Sequence, residues 1–442
     1  MQYTWKRDFY ETLKTKALSN RVTALLGPYK CGKTTALLQL HGELPNSEYY
    51  DAKKMPPEQQ EQLLARILNS IKNDEDFTFI IDEISHVPHA DSFIEKIAVQ
   101  YNTFIAPRTH VVLSDSQAAA LHYWMNRSFC GCAGYVYADF MGYDEWLRMK
   151  RETSPQGYEK PTESNYAEYI ANIGRFHQLP DIKQYLRSCL ENADLSVKHS
   201  SDLVYLNHNV EGLTEQILLD ILLATLSAGS SQPSYDFLDR LDDVIIVRAL
   251  IFLKNCGLIS GFGVGDSFNR SIFGCPLDCR SSEERKAAVY NKGTLFHTVG
   301  LSVTHPMFFI ALAEEMFGKV DFENIPEPIL AAAIEAHCRG LLPERGAYRF
   351  RADGTPAEQT IGYVNPCAML AVDFDVSDER IDRFERAAEY AVEDEDFLQN
   401  KCVKLSKQRS EERITAKGIK VSVVPYYEYL YRLSVEYDIR FT

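Results

Sequence analysis

An α/β chain whose N-terminal part is built on a parallel sheet is predicted by three short apolar runs and by the polar residues at the carboxyl end of each. Val22-Thr23-Ala24-Leu25-Leu26 leads into Gly27-Pro28-Tyr29-Lys30-Cys31-Gly32-Lys33-Thr34, and Thr35 to Leu40 continues with helix formers. Phe77-Thr78-Phe79-Ile80-Ile81 ends in Asp82-Glu83, and His110-Val111-Val112-Leu113 ends in Ser114-Asp115-Ser116-Gln117. Unbroken apolar runs suit strands buried on both faces, and the chemistry of such sheets gathers at their carboxyl ends.

The first run carries the most specific signal. Two glycines with four residues between them, then Lys-Thr, between a strand and a helix, form a phosphate-binding loop. The glycines let backbone N–H groups curl round phosphate oxygens, and the helix N-terminus adds its partial positive charge. Gly27, Lys30, Cys31, Gly32, Lys33, Thr34 and Thr35 are the expected nucleotide contacts. Lys33 would reach the β- and γ-phosphates, and Thr34 would ligate magnesium. The expected ligands are ATP, or GTP, with Mg2+.

The second run places Asp82 where it would hold magnesium through water and Glu83 where it would polarise an attacking water. For the third, two readings stand. Ser114 and Asp115 could orient the lytic water from the neighbouring strand end, or they could cap the helix that begins in Gln117-Ala118-Ala119-Ala120-Leu121.

The bulk composition sets limits. At 442 residues the chain exceeds one hydrophobic core, so two or three domains are expected. A net charge of -15 argues against a basic surface that neutralises phosphates, which leaves nucleic acid weakly supported. Met1 to Arg7 lacks an apolar signal segment, and no stretch approaches the ~20 apolar residues of a spanning helix, so a cytoplasmic protein with no membrane partner is expected. Ten cysteines in such a chain are expected to be reduced and buried. Cys130/Cys132 and Cys275/Cys279 lack the usual zinc-knuckle spacing.

Met149 to Ser164, polar with Pro155, Gly157 and Pro161, is expected to be a loop leaving the first domain. Leu213 to Leu226 comes next as a helix, Ser231 to Ser234 breaks the pattern, and Tyr235 to Leu241 resumes it. Val244 to Leu253, Gly257 and the apolar Leu258-Ile259 complete a helix, helix, glycine, strand pattern of winged-helix type. Its second helix is apolar and offers Arg248 and Lys254, so packing against the nucleotide domain is favoured over DNA contact.

The order of these pieces resembles prokaryotic AAA-like ATPases that carry a winged helix and a restriction-endonuclease-like C-terminal domain of unassigned function. An aromatic, basic helix at Tyr3 to Leu18, a strand at Tyr49-Tyr50-Asp51, and Gly131 to Val136 followed by Tyr143-Asp144-Glu145-Trp146-Leu147 carry that likeness. It implies an AAA-like P-loop domain at 1–150, a helical and winged-helix domain at 165–265, and a degenerate restriction-endonuclease-like domain at 290–442. Tyr135 stands where the family usually has an arginine, which implies slow hydrolysis unless Arg127 or a partner supplies the cation. A protein partner or further copies of the chain are expected for that reason.

In the C-terminal part the resemblance places Glu335 on a helix, Gly362 where a metal-binding aspartate belongs, and Asp373-Phe374-Asp375 where an acid and a lysine belong. Lys401 to Lys407 and Val421 to Leu430 match its closing strand, strand and helix. Loss of the aspartate and the lysine implies a surviving fold without metal-dependent cleavage. The functions expected are an ATP-driven switch, an ATP-binding scaffold with little turnover, or a nucleic-acid-associated or defence-related ATPase.

Overall fold

The structure is a computed structural model, described for residues 5–104, 108–153, 158, 160–199, 210–227, 241–263, 299–303, 305–322, 325, 327–340, 348–350, 362–364, 369–371, 374, 377–394 and 402–441. After helix α1 (Phe9–Ser19), the elements are β1 (Val22–Leu26), α2 (Lys33–Glu43), β2 (Ser47–Asp51), α3 (Pro57–Lys72), β3 (Thr78–Asp82), α4 (Ala90–Thr103), β4 (His110–Asp115), α5 (Ala118–Phe129), β5 (Gly134–Tyr137) and α6 (Tyr143–Thr153). The sheet order is β2-β3-β4-β1-β5, and every pairing is parallel.

Side chains alternate along each strand, so the sheet feeds two cores. Ala24, Leu26, Phe79, Ile81, Val111 and Leu113 pack with α3, α4 and α5. Leu25, Ile80, Val112 and Val136 pack with Leu37 and Leu40 of α2 and Tyr10 and Leu13 of α1. That second cluster continues through Trp146 of α6 into the helices beyond it. Parallel register brings Leu26 beside Asp115 and Asp51 beside Asp82, which gathers the loop after β1 and the acids of β3 and β4 along one edge.

The next helices are α7 (Glu163–Phe176), α8 (Ile182–His199), α9 (Glu215–Ser227) and α10 (Asp243–Asn255). A glycine with φ +70°, Gly257, ends α10 and leads to β6 (Ile259–Gly263), which pairs antiparallel with β7 (Val299–Val303). Helices α11 (Pro306–Phe317) and α12 (Glu327–Gly340) come after them. A mixed six-stranded sheet of order β12-β13-β11-β10-β9-β8 closes the chain. Its elements are β8 (Tyr348–Phe350), β9 (Gly362–Val364), β10 (Met369–Ala371), α13 (Asp378–Asp394), β11 (Cys402–Ser406), β12 (Glu411–Ile414), β13 (Lys420–Pro425) and α14 (Tyr426–Phe441).

Several expectations change. The first helix starts at Phe9, because Arg7 is turned into the core by the Glu145 carboxylate. Met149 to Thr153 are the last turn of α6 rather than loop, and Glu163 opens α7 under a cap in which Thr162 Oγ1 accepts from Asn165 N–H at 3.1 Å. Lys150 Nζ and Glu168 Oε1, 2.6 Å apart, tie these two helices across the intervening segment. Cys130 and Cys132 are exposed, not buried, since Cys130 ends α5 in a left-handed turn with φ +48°. Ser114 and Asp115 belong to β4, and Gln117 stands at the N-cap of α5.

Cys275, Cys279, Ser231 to Ser234, Tyr235 to Arg240, Asp373 and Asp375 lie outside the described residues. Glu335 lies on α12 and Gly362 opens β9. No helix among the described residues is long and apolar enough to cross a membrane.

Candidate nucleotide site

The loop between β1 and α2 lies tight against the end of β5. A Cβ at Gly27 would sit 2.2 Å from the Ala138 carbonyl oxygen, so only glycine lets the two segments approach this closely. Gly32, with φ +108°, turns the chain into α2. The free N–H groups of that first turn, with the helix dipole behind them, face the carboxyl edge of the sheet.

Lys33 is buried, and its Nζ donates to the carbonyls of Gly27 at 2.9 Å and Pro28 at 2.8 Å. Burial disfavours its charge. The Cys31 sulfur and the carboxylates of Glu83, Asp82 and Asp115 more than compensate, so the ammonium is held above its usual pKa. Thr34 is exposed, and its Oγ1 donates to Asp82 Oδ2 at 2.6 Å.

Asp82 is buried and accepts from three hydroxyls. Besides Thr34, Tyr49 Oη donates to Oδ2 at 3.0 Å, and Ser114 Oγ donates to Oδ1. Glu83 comes next in a left-handed conformation, φ +56°, that turns its side chain from the line of β3 toward β4. There Ser116 Oγ donates to Oε1, and Ser116 N–H donates to Oε2 at 3.3 Å. Burial, then the nearby Asp115 and Asp82 charges, raise the Glu83 carboxyl to about 7, against the opposing pull of Lys33.

Asp115 braces this edge by accepting from Ser85 N–H and Gln117 N–H, each at 2.6 Å. Its two amide bonds join the turn after β3 to the start of α5.

The residues expected from the motifs therefore converge: Lys33, Thr34, Asp82 and Glu83 share one edge. Ser114 differs in detail. Its hydroxyl goes to Asp82, whereas Ser116 reaches Glu83. Cys31 is fully buried with its thiol pushed up by burial, and Thr35 is half-buried on α2. Tyr135 pairs with Ala24, two positions and about 7 Å short of the phosphate edge, and its hydroxyl donates to Asn126 Oδ1 at 2.6 Å. Arg127 lies nine positions into α5, a helix that starts at that edge, so it stands about 13 Å along the helix away from it.

Three contributors were not expected. Tyr49 and Ser116 touch the two acids, and Arg7 Nη1 donates to the Cys31 carbonyl at 2.6 Å while its Nε meets Glu145 Oε1 at 2.7 Å. The one sequence signal for Tyr49 was its place in a strand whose end lies beside Asp82; Arg7 carried none.

A family model described as an AAA domain matches residues 19–147. No curated protein matches the chain. Among solved structures, the Walker-type ATPase of Pyrococcus abyssi is similar at 15% identity, over 57% of this chain and 89% of that one, with a TM-score of 0.37. The ORC2 protein of Aeropyrum pernix is similar at 15% identity, over 58% and 87%, with a TM-score of 0.35. A RuvB variant of Thermotoga maritima is similar at 18% identity, over 58% and 89%, with a TM-score of 0.31. The family match, the five-stranded parallel sheet and the phosphate loop together define an AAA-type P-loop ATPase-like domain in the N-terminal part of an α/β chain.

Proposed function

We propose that the chain binds ATP with Mg2+ at the β1–α2 loop and hydrolyses it, and that nucleotide state moves the helices packed on that domain. The observation that carries this reading is Asp82 held by the Thr34, Ser114 and Tyr49 hydroxyls beside a Glu83 carboxyl raised to about 7. Gly27, Lys30, Cys31, Gly32 and Thr35 would line the phosphates, with Lys33 on the β- and γ-oxygens. Thr34 and Asp82 would hold magnesium, which neutralises charge on the transferring phosphoryl group. Glu83 would take a proton from the attacking water, and Ser116 would hold it in place.

The test is phosphate release and equilibrium ATP binding by the full chain. Lys33→Ala is expected to lose both. Glu83→Gln is expected to keep binding and to lose about 100-fold or more of the turnover, the usual worth of a general base. Glu83→Gln turning over at the wild-type rate would sink the catalytic part.

A second reading is favoured by Tyr135 and Arg127, neither of which lies at the phosphate edge. With neither position delivering a cation there, ATP would be held and turned over slowly until a protein partner or another copy supplies one. Stoichiometric binding without turnover, relieved by raising protein concentration, would select that reading. For the C-terminal sheet we propose a nuclease-like fold without cleavage, because Gly362 occupies the position on β9 where the resemblance places an aspartate.

A further inference from the structure

A phosphate loop works when its N–H groups face inward, and that requires its carbonyls to face away. In this chain five successive loop carbonyls are each taken by a protein donor. Lys33 takes Gly27 and Pro28. Tyr185 Oη donates to the Tyr29 carbonyl at 3.2 Å, His177 Nδ1 donates to that of Lys30 at 3.1 Å, and Arg7 takes that of Cys31. Tyr185 lies on α8 and His177 at the end of α7, outside the segment that matches the AAA domain model.

The histidine's chemistry is fixed by its other nitrogen. Met141 N–H donates to Nε2 at 3.0 Å, so Nε2 carries no proton, and the single ring proton sits on Nδ1, where it meets the Lys30 carbonyl. Burial, with the Arg7 charge close by, keeps the ring neutral. Lys30 itself has φ +67°, a strained conformation for a side-chain-bearing residue, and such conformations persist where the surroundings hold them. Around it, the Tyr185 ring lies 5.7 Å from that of Tyr29, and the Pro28 ring lies against Gly257. Helix α8 also rests on the turn Ile84–His86 that comes after Glu83.

We propose that His177 and Tyr185 are positioning residues for phosphate binding. They hold the loop's carbonyls outward and thereby tie α7 and α8 to the nucleotide state of the site. The inference rests on the reading that this loop binds nucleotide. Any change in loop geometry on phosphate binding must lengthen or shorten these bonds, and the helices that own the donors follow. The bonds act in the other direction as well, since a partner that shifts α7 or α8 alters the loop.

The experiment uses the full chain and MgATP. Affinity is measured calorimetrically for wild type, Tyr185→Phe, His177→Phe, the double variant and His177→Asn, whose amide can donate to the Lys30 carbonyl. Hydrogen exchange across residues 163–199 is followed with and without MgATP. Each single variant is expected to bind about tenfold more weakly, the scale of one hydrogen bond, and the double variant more weakly still. His177→Asn is expected to recover most of the loss, which a merely structural histidine would not permit. MgATP should slow exchange in 163–199 in wild type and not in the double variant.

A double variant that binds within twofold of wild type, or wild-type exchange in 163–199 unmoved by ATP, overturns the inference alone. Wild type that binds no ATP overturns the nucleotide reading, and the inference falls with it. Should the double variant fail to fold, Tyr185→Phe carries the test, because it removes one oxygen and keeps the ring.

Discussion

Replacing Tyr49 by phenylalanine takes one hydroxyl from Asp82, the acid proposed to hold magnesium, and leaves the strand intact. That hydroxyl donates to Asp82 Oδ2 at 3.0 Å, the oxygen that also accepts from Thr34 at 2.6 Å. Burial and the Asp82 charge push the phenol well above its usual pKa, so it remains a donor at every assay pH. Hydrogen bonds to charged groups contribute ~1.5–3 kcal/mol, and Tyr49 is only half-buried, so the lower end applies. About 1.4 kcal/mol is tenfold in an equilibrium constant. In initial rates of phosphate release at fixed ATP, the Mg2+ concentration at half-saturation should therefore rise about tenfold. The rate at saturating Mg2+ should change little, because Glu83 and Ser116 are untouched. Tyr50→Phe is the control: its hydroxyl goes to Glu48, on the opposite side of β2. An unchanged Mg2+ requirement in Tyr49→Phe, or an equal shift in Tyr50→Phe, would refute the reasoning.

Two further outcomes rest on packing and burial. His337 is buried, stacked on Tyr166 at 5.9 Å and near Tyr169 and His305, and burial followed by the His305 charge pushes its pKa far below 6.5. In the unfolded chain the same ring titrates near 6.5, so its contribution to stability is complete above that pH and is lost as pH falls below it. Denaturant unfolding at pH 7 and 5.5 should show His337→Phe losing about 1 kcal/mol less than wild type over that interval, and an equal loss would contradict the burial argument. Gly27→Ala drives a methyl into the Ala138 carbonyl, which as backbone cannot swing aside. The cost expected is about 1–3 kcal/mol with weakened ATP binding, and a variant as stable and as tight as wild type would show that the loop has room.

The sequence was informative where a residue's role is set by its immediate neighbours. Val22 to Leu26 is a strand with the bounds expected, and the strand at His110 runs two residues further than its apolar run, through Ser114 and Asp115. A charged residue can end a buried strand there because Ser85 and Gln117 amides satisfy it. The convergence of Lys33, Thr34, Asp82 and Glu83 on one sheet edge was legible because glycine spacing and the strand end dictate their placement locally. Tyr49, Ser116, Arg7, His177 and Tyr185 were not. Tyr49 reads as an ordinary strand former, and Arg7 meets Cys31 across 24 residues, His177 meets Lys30 across 147 and Tyr185 meets Tyr29 across 156. Such pairs exist only once the fold has closed. The short strand Glu411–Ile414 was missed for another reason. Its charged, partly exposed residues suit a sheet edge, and Arg413 there pairs with Asp378 and Glu411 rather than showing an apolar alternation.

The outward-turned carbonyls also bear on where this protein can be cut. The segment that matches the AAA domain model, 19–147, begins after Arg7 and stops before His177 and Tyr185. A fragment trimmed to that segment would keep every glycine of the phosphate loop and lose the donors to three of its five carbonyls. On the proposal made above, the smallest unit able to grip a phosphate would be set by hydrogen-bond closure rather than by sequence likeness, and would extend from Arg7 at least to α8.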